Sequence, residues 1–496
     1  MKQKPVFLPT ITLGLAAGFL LFLSFAVTAR SQPKPLVKLS ESALKENVLY
    51  DAWVEFKDKG ALNKKQRQII LENLEKNFNP RALKRRKKKR TFPGLFDEKD
   101  FPLAGKYIEG VAKTGAKIRV KSRWLNGVTI LTTKKQIQEI KNLPFVKKVG
   151  DFHEHKPRLK HDTPPKKRPS PKTTPGFYGR SDIQVRQLGL HKLHKAGYTG
   201  KGILVAVIDC GFDLSHSAFN NKKNPLRVTA QWDFVENDGD VTPRPGMHHT
   251  NYDHGTAVLG AIAAYSPGEL VGTAYDADYI LCNAEDGEIE YYLEERWFAA
   301  ALEFAEARGA DALTTSLVLY SGYTTRQADG RTAVMTKAMN IAVGNGLICL
   351  CGGGNAGHDQ DAAVSHLNVP ADSPDVISVG AIDVDGYIAP FSSDGPGSDG
   401  RIKPEVLALG VRTATVSPVD KKGYMEGYGT SMAAPVMAGA VACLLQTHPG
   451  WTVKEIRRAL FFSGDYYRKH GKPDPLFIHG YGIPDVFLAA RGAPSL

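Results

Sequence analysis

The sequence predicts an α/β protein of three layers, α/β/α with a mostly parallel central sheet, preceded by a small α+β domain of split βαβ plan. Three observations lead there. Residues 203–208 and 347–351 are unbroken apolar runs of strand length, the pattern of strands buried on both faces. Residues 257–264 and 432–445 are helical stretches without a charged side chain, so each must be covered on every side. Residues 50–152 instead read in the order strand, helix, two strands, helix, strand.

At the N-terminus, Lys2 and Lys4 precede an apolar segment over 7–27, and Val27, Thr28 and Ala29 supply small residues for cleavage. Residues 1–29 therefore read as a signal peptide, and the chain as exported, secreted or held in the periplasm or at the cell surface. The segment is nearly long enough to span a bilayer, so an uncleaved membrane anchor is the alternative.

Residues 30–155 form the small domain. Alternation places strands at 50–56, 117–124, 127–132 and 145–152. Ile69, Ile70, Leu71 and Leu74 place a helix over 64–78, and a short one follows at 134–142. The six consecutive basic residues from Arg85 to Arg90 read as a solvated, protease-sensitive loop; with no aromatic-interleaved motif beside them, no nucleic-acid partner is expected. A stretch rich in Pro, Lys and Thr over 156–176 reads as a linker. Residues 177–496 then make the large domain.

Charge separates the two parts. Residues 30–176 carry 37 basic and 15 acidic side chains, net +22, whereas 177–496 carry 26 and 36, net −10. The overall excess of +14 belongs to the leader region, and opposite signs favour docking of one part on the other.

Within the large domain three residues each end or begin a buried element. Asp209 closes the apolar run 203–208, at the strand edge where open α/β sheets bind ligands. His254 opens the apolar helix 45 residues later, and Ser431 opens the second one after a further 177. Thr430 or Ser431 is the expected N-cap, with Pro435 in the first turn. A serine hydroxyl needs a base to become a nucleophile, an imidazole titrates where it can supply one, and a carboxylate can orient that imidazole. Separately, each has an ordinary structural reading as cap or core residue. After the strand 347–351 come Gly352, Gly353, Gly354 and Asn355, whose amide N–H can serve a developing oxyanion, although Gly-Asn is also an ordinary turn.

With these residues in place the chain resembles the subtilisin-like serine peptidases. The segments that carry the likeness are GKGILVAVIDCGFDLSHSAF around Asp209, HGTAVLGAIAA from His254, GGGNAG around Asn355 and GTSMAAPVMAGAVACLLQTHP around Ser431. The resemblance implies an endopeptidase working through an acyl-enzyme on Ser431, with His254 as general base, Asp209 orienting it and Asn355 in the oxyanion hole. Ser316, Leu317 and Val318 match the strand that pairs with the substrate, and Gly352, Gly353 and Gly354 a wall of the specificity pocket. Residues 30–155 are similar in plan to the family's propeptides, which assist folding and block the cleft of a self-inhibited precursor. Partners are then polypeptide substrates and the chain's own propeptide. No cofactor is required for the chemistry and no metal ligand is assigned. A structural calcium ion, which many relatives bind, is compatible with the acidic cluster 285–290, more simply read as a surface loop and a helix's first turn.

Departures from the family pattern are Cys210, Ala257, Val318 and Val436, none of which removes a catalytic atom. Two rival readings keep the same residues, a catalytically silent peptide-binding protein and an esterase. The five cysteines, 210, 282, 349, 351 and 443, sit in apolar segments and read as buried free thiols.

Overall fold

In the computed structural model the described residues are 39–155, 169–170, 172–288, 292–317 and 323–492, and all belong to one compact unit, Pro35–Leu496. The segment read as a signal peptide, most of the linker, and Val318 lie outside the described residues.

The small domain runs β1 (Leu49–Phe56), α1 (Lys64–Asn77), α2 (Pro80–Lys89), α3 (Gly105–Ala112), β2 (Lys117–Ser122), β3 (Gly127–Thr133), α4 (Lys134–Lys141) and β4 (Val146–Glu154). Its antiparallel sheet has the order β2-β3-β1-β4. The alternation of β1 explains how this sheet serves two cores. Tyr50, Ala52, Val54 and Phe56 face a core with Tyr107 and Val111 of α3 and Ile137 and Ile140 of α4. Trp53 points the other way, and with Val120 and Trp124 joins the core of the large domain.

Two expectations change here. The helix that completes the split βαβ plan is α3, not the stretch 64–78: α1 forms, but none of its residues is buried and Ile69 is 46 % exposed. The basic run Arg85–Arg90 is not a solvated loop. Arg85 to Lys89 lie in helix α2, and Arg85, Arg86 and Lys89 are buried against the large domain.

The large domain opens with two short helices, α5 (Asp182–Gln187) and α6 (Leu190–Lys195), and continues β5 (Leu204–Asp209), β6 (Arg227–Asp233), α7 (Asp253–Ala263), the two-residue strands β7 (Tyr265–Ser266) and β8 (Leu270–Val271), and β9 (Asp278–Asn283). Then come α8 (Glu294–Ala307), β10 (Ala312–Thr315), α9 (Val334–Gly344), β11 (Ile348–Gly352), β12 (Ile377–Ile382), β13 (Val406–Leu409) and the hairpin β14 (Val411–Val416) and β15 (Tyr424–Tyr428). Helices α10 (Thr430–Thr447), α11 (Val453–Ser463), α12 (Asp465–His470) and α13 (Val486–Ala489) close the chain. Seven strands form one sheet, β13-β12-β11-β10-β5-β9-β6, every described pairing parallel. The apolar runs 203–208 and 347–351 become β5 and β11, fully buried as their composition requires. The uncharged α10 is buried from Met432 to Leu445, packed under β10, β11 and β12.

All five cysteines are buried and unbridged. Burial pushes the thiols of Cys282, Cys349, Cys351 and Cys443 well above their ordinary value, so they behave as small core residues.

Candidate active site

Parallel strands deliver their C-terminal ends to one edge, and three neighbouring strands, β11, β10 and β5, each bring a predicted residue there. Asp209 ends β5, Ser316 and Leu317 follow β10, and Asn355 lies three residues beyond β11. Thr315 of β10 pairs with Ile208 of β5, so Ser316 and Asp209 stand side by side at the rim.

Asp209 is completely buried and is met on Oδ1 by His254 Nδ1 at 2.8 Å and by the Cys210 N–H at 2.9 Å. Among the described residues its Oδ2 has no hydrogen-bond partner, so the charge of this carboxylate is answered on one oxygen, by the ring and one amide. His254 lies in the first turn of α7, half-buried, with its other nitrogen, Nε2, available for proton transfer. Gly255 must be glycine for this: a Cβ there would stand 2.1 Å from the Gly211 carbonyl oxygen and 3.1 Å from Asp209 Cβ.

Ser431 is placed by backbone. Helix α10 starts at Thr430, two residues earlier than a Ser431 cap requires and one earlier than a Thr430 cap requires, and its N-cap is Gly429 with a positive φ, without a side-chain cap bond. Pro435 consequently falls in the second turn and not the first. Lacking an N–H, it cannot bond the carbonyl four residues back, which is that of Ser431. Ser316 Oγ donates to that carbonyl instead, at 2.8 Å. The side chain predicted to touch substrate thus holds the nucleophile candidate to the rim beside Asp209. Ser316→Ala is expected to cost about 1–3 kcal/mol by orphaning this carbonyl, with Ser316→Thr restoring most of it, measured by denaturant unfolding.

Asn355 is clamped through its oxygen, which accepts from Thr430 N at 2.8 Å and Thr430 Oγ1 at 3.1 Å. Thr430 Oγ1 also accepts from Gly354 N at 3.2 Å, tying the glycine loop to the start of α10. Its Nδ2 faces the same space as Ser431 Oγ: a Cβ placed on Gly429 would lie 3.4 Å from the first and 2.8 Å from the second. Thr430 is the positioning residue that sequence reasoning missed, having read it as a helix cap. Gly352 and Gly354 serve the protein's own packing, since a Cβ on Gly352 would meet Thr430 Oγ1 at 2.8 Å and one on Gly354 would meet Asn368 Oδ1 at 2.0 Å. Nothing presses on Gly353 closer than 3.6 Å.

Among the described residues Asp209, Cys210 and His254 are the grouping with metal-ligand spacing, their ligand atoms lying within 4.8 Å of one another. Two of the three are already paired through the ring–carboxylate bond. In the acidic cluster, Glu285 and Asp286 are buried and not surface residues as expected; the Asp286 N–H donates to Glu294 in the first turn of α8.

A buried carboxylate on an imidazole, a serine at a helix mouth and an amide N–H beside it, on one edge of a parallel sheet, make up a candidate serine hydrolase site. Comparison with known proteins sets it in a family. The model of the subtilase family, Peptidase S8, matches residues 200–482, and that of the Peptidase S8 propeptide domain of Bacteroidota matches 51–169. The chain is 28 % identical to subtilisin E of Bacillus subtilis over 385 residues, covering 77 % of this chain and 85 % of that protein. It is 30 % identical to the subtilisin of Bacillus pumilus over 312 residues, 62 % of this chain and 98 % of that one. Among solved structures, fervidolysin from Fervidobacterium pennivorans, described as a keratinolytic enzyme related to subtilisin, shares the fold at a TM-score of 0.58 and 21 % identity. That match covers 92 % of this chain and 63 % of fervidolysin, so the chain spans under two thirds of its length. The chain belongs to the subtilase family, as a subtilisin-like serine endopeptidase with a propeptide.

Proposed function

We propose that the chain is an exported endopeptidase made as a self-inhibited precursor, with Ser431 as nucleophile, His254 as general base, Asp209 as its orienting carboxylate and Asn355 as oxyanion donor. His254 takes the Ser431 proton as Oγ attacks the peptide carbonyl, then gives it to the leaving amine; water resolves the acyl-enzyme by the reverse path. The Asn355 N–H meets the negative charge that develops on the carbonyl oxygen. No cofactor enters these steps. The observation that carries the reading is the pairing of His254 Nδ1 with buried Asp209 at the rim where Ser316 holds the Ser431 carbonyl and Thr430 holds Asn355. In this reading Leu317, which follows β10, belongs to a substrate-pairing edge, and Gly353, where a Cβ would meet nothing closer than 3.6 Å, to a wall of the specificity pocket; the same role expected of Val318 falls outside the described residues.

Asn355→Asp separates the two halves of that residue. It keeps the oxygen that anchors Thr430 and removes the donor, so the fold is expected to survive while kcat falls by about 10²–10³ with little change in KM. Steady-state kinetics on a short peptide substrate reads the split.

The inhibitory role of residues 30–155 rests on two contacts with the large domain, at Glu303 and Arg296, to which the linker adds a third. Glu303 of α8 accepts from the N–H groups of Arg123 and Trp124 at 2.9 and 3.1 Å and from Ser122 Oγ. Asp151 pairs with Arg296 of α8 at 2.7 Å, and the Pro169 carbonyl accepts from Glu426 N at 3.0 Å on β15, the strand leading to Ser431. Purified active protein is expected to begin within 156–176; N-terminal sequencing that finds a start before residue 142 contradicts the maturation reading.

A further inference from the structure

The basic helix α2 sits on the edge of the sheet opposite Ser431. Its buried face meets the entrance to β5 at Gly202, the segment between α8 and β10 at Gly309–Asp311, and the end of α9 at Gly344–Gly346. Five or six residues of strand separate that edge from the catalytic rim, roughly 17–20 Å, too far for α2 to cover the cleft.

The contacts fall into two independent sets. The first is electrostatic. Helix ends present unbonded carbonyls and partial negative charge, which guanidinium groups satisfy. Arg85 donates to the carbonyls of Glu306 and Ala310 and pairs with the Glu306 carboxylate. Arg86 grips both Glu306 oxygens and Asp100 Oδ1, each at 2.8 Å, between the rings of Phe78 and Phe96. Arg81 donates to Gly202 O at 2.7 Å and Gly309 O at 3.1 Å and pairs with Asp311. Burial alone would raise the Glu306 carboxyl; Arg85 and Arg86 outweigh it and hold it below its ordinary value.

The second set is steric. Thr91 N donates to Gly344 O at 2.8 Å, and Phe92 fills the space beside Gly344, where a Cβ would lie 2.1 Å from its ring. Gly344 is the last residue of α9 and has no left-handed backbone to require glycine, so the propeptide's ring is what its bare Cα accommodates.

We infer that this surface of the catalytic domain is a receptor for a paired-arginine helix followed by an aromatic ring, and that α2 is a second anchor which keeps the propeptide bound after the linker has been cut. The inference rests on residues 30–155 acting as a propeptide. It adds that the inhibitor is held at a second place, by α2 on the C-terminal ends of α8 and α9, one turn beyond the Glu303 of α8 that β2 and its following turn engage.

The test uses the full-length Ser431→Ala chain, which cannot cut itself, with a recognition site for a sequence-specific protease inserted within 156–168. After cutting, retention of the N-terminal fragment is followed by size exclusion on dilution. The parent is expected to stay associated, and Arg85→Gln/Arg86→Gln and Gly344→Ala each to weaken retention on the order of a hundred-fold. Alanine favours helix over glycine, so Gly344→Ala leaves α9 at least as stable and probes the anchor even if the arginine variant fails to fold. A parent that falls apart at once, or a Gly344→Ala chain that holds its fragment as tightly as the parent, overturns the anchor. Failure of the peptidase reading shows separately, as a wild-type chain without hydrolytic activity.

Discussion

Ser431→Ala is expected to give a folded chain that hydrolyses peptides at less than about 10⁻⁴ of the wild-type rate and accumulates as uncut precursor. The fold survives because what positions residue 431 is backbone. Gly429 caps α10 without a side-chain bond, and Ser316 holds the 431 carbonyl, which alanine retains. The chemistry does not survive, because alanine removes the Oγ that attacks the peptide carbonyl. Gel analysis of the expressed chain and a progress curve on a peptide substrate read the two outcomes.

His254→Ala is expected to lower kcat about 10²–10⁴-fold, with a structural effect that Ser431→Ala lacks. Asp209 is wholly buried, its Oδ2 has no hydrogen-bond partner among the described residues, and the His254 ring bonds its Oδ1. Removing the ring leaves a buried carboxylate with one amide donor, at a cost of roughly 1–3 kcal/mol or more. His254→Gln keeps a donor near Asp209 Oδ1 and should recover stability without recovering rate. Thermal unfolding together with kcat separates loss of the base from loss of the partner.

What could be read in the sequence was whatever depends on local composition. β5 and β11 were legible because strands buried on both faces admit no polar residue, and α7 and α10 because each lacks charge along one continuous stretch. The rim residues followed, since each stands where a buried element ends. Helix α3 was missed because Gly105–Ala112 carries two glycines and shows its core face only in Tyr107 and Val111, one turn apart, while the richer apolar run of α1 drew the assignment. The basic helix was misread for a nonlocal reason. Like charges repel in isolation, and the groups that reverse this, Glu306 and the carbonyls at the ends of α8 and α9, lie more than 200 residues away in the chain. Thr430 and Ser316 were missed for the same reason, since a hydroxyl's partner is nonlocal: that of Ser316 is the Ser431 carbonyl freed by Pro435, and that of Thr430 is Asn355, 75 residues away.

Activation of Ser431 at this rim is the step on which peptide hydrolysis depends. A fluorophosphonate probe reacts with an activated serine and not with an ordinary hydroxyl, so the matured protein treated with it and mapped by mass spectrometry tests that claim directly. One adduct per chain, on Ser431 and absent from Ser431→Ala and His254→Ala, is the expected result. An unlabelled protein that is nonetheless folded and matured, or an adduct that persists in Ser431→Ala, would contradict the assignment.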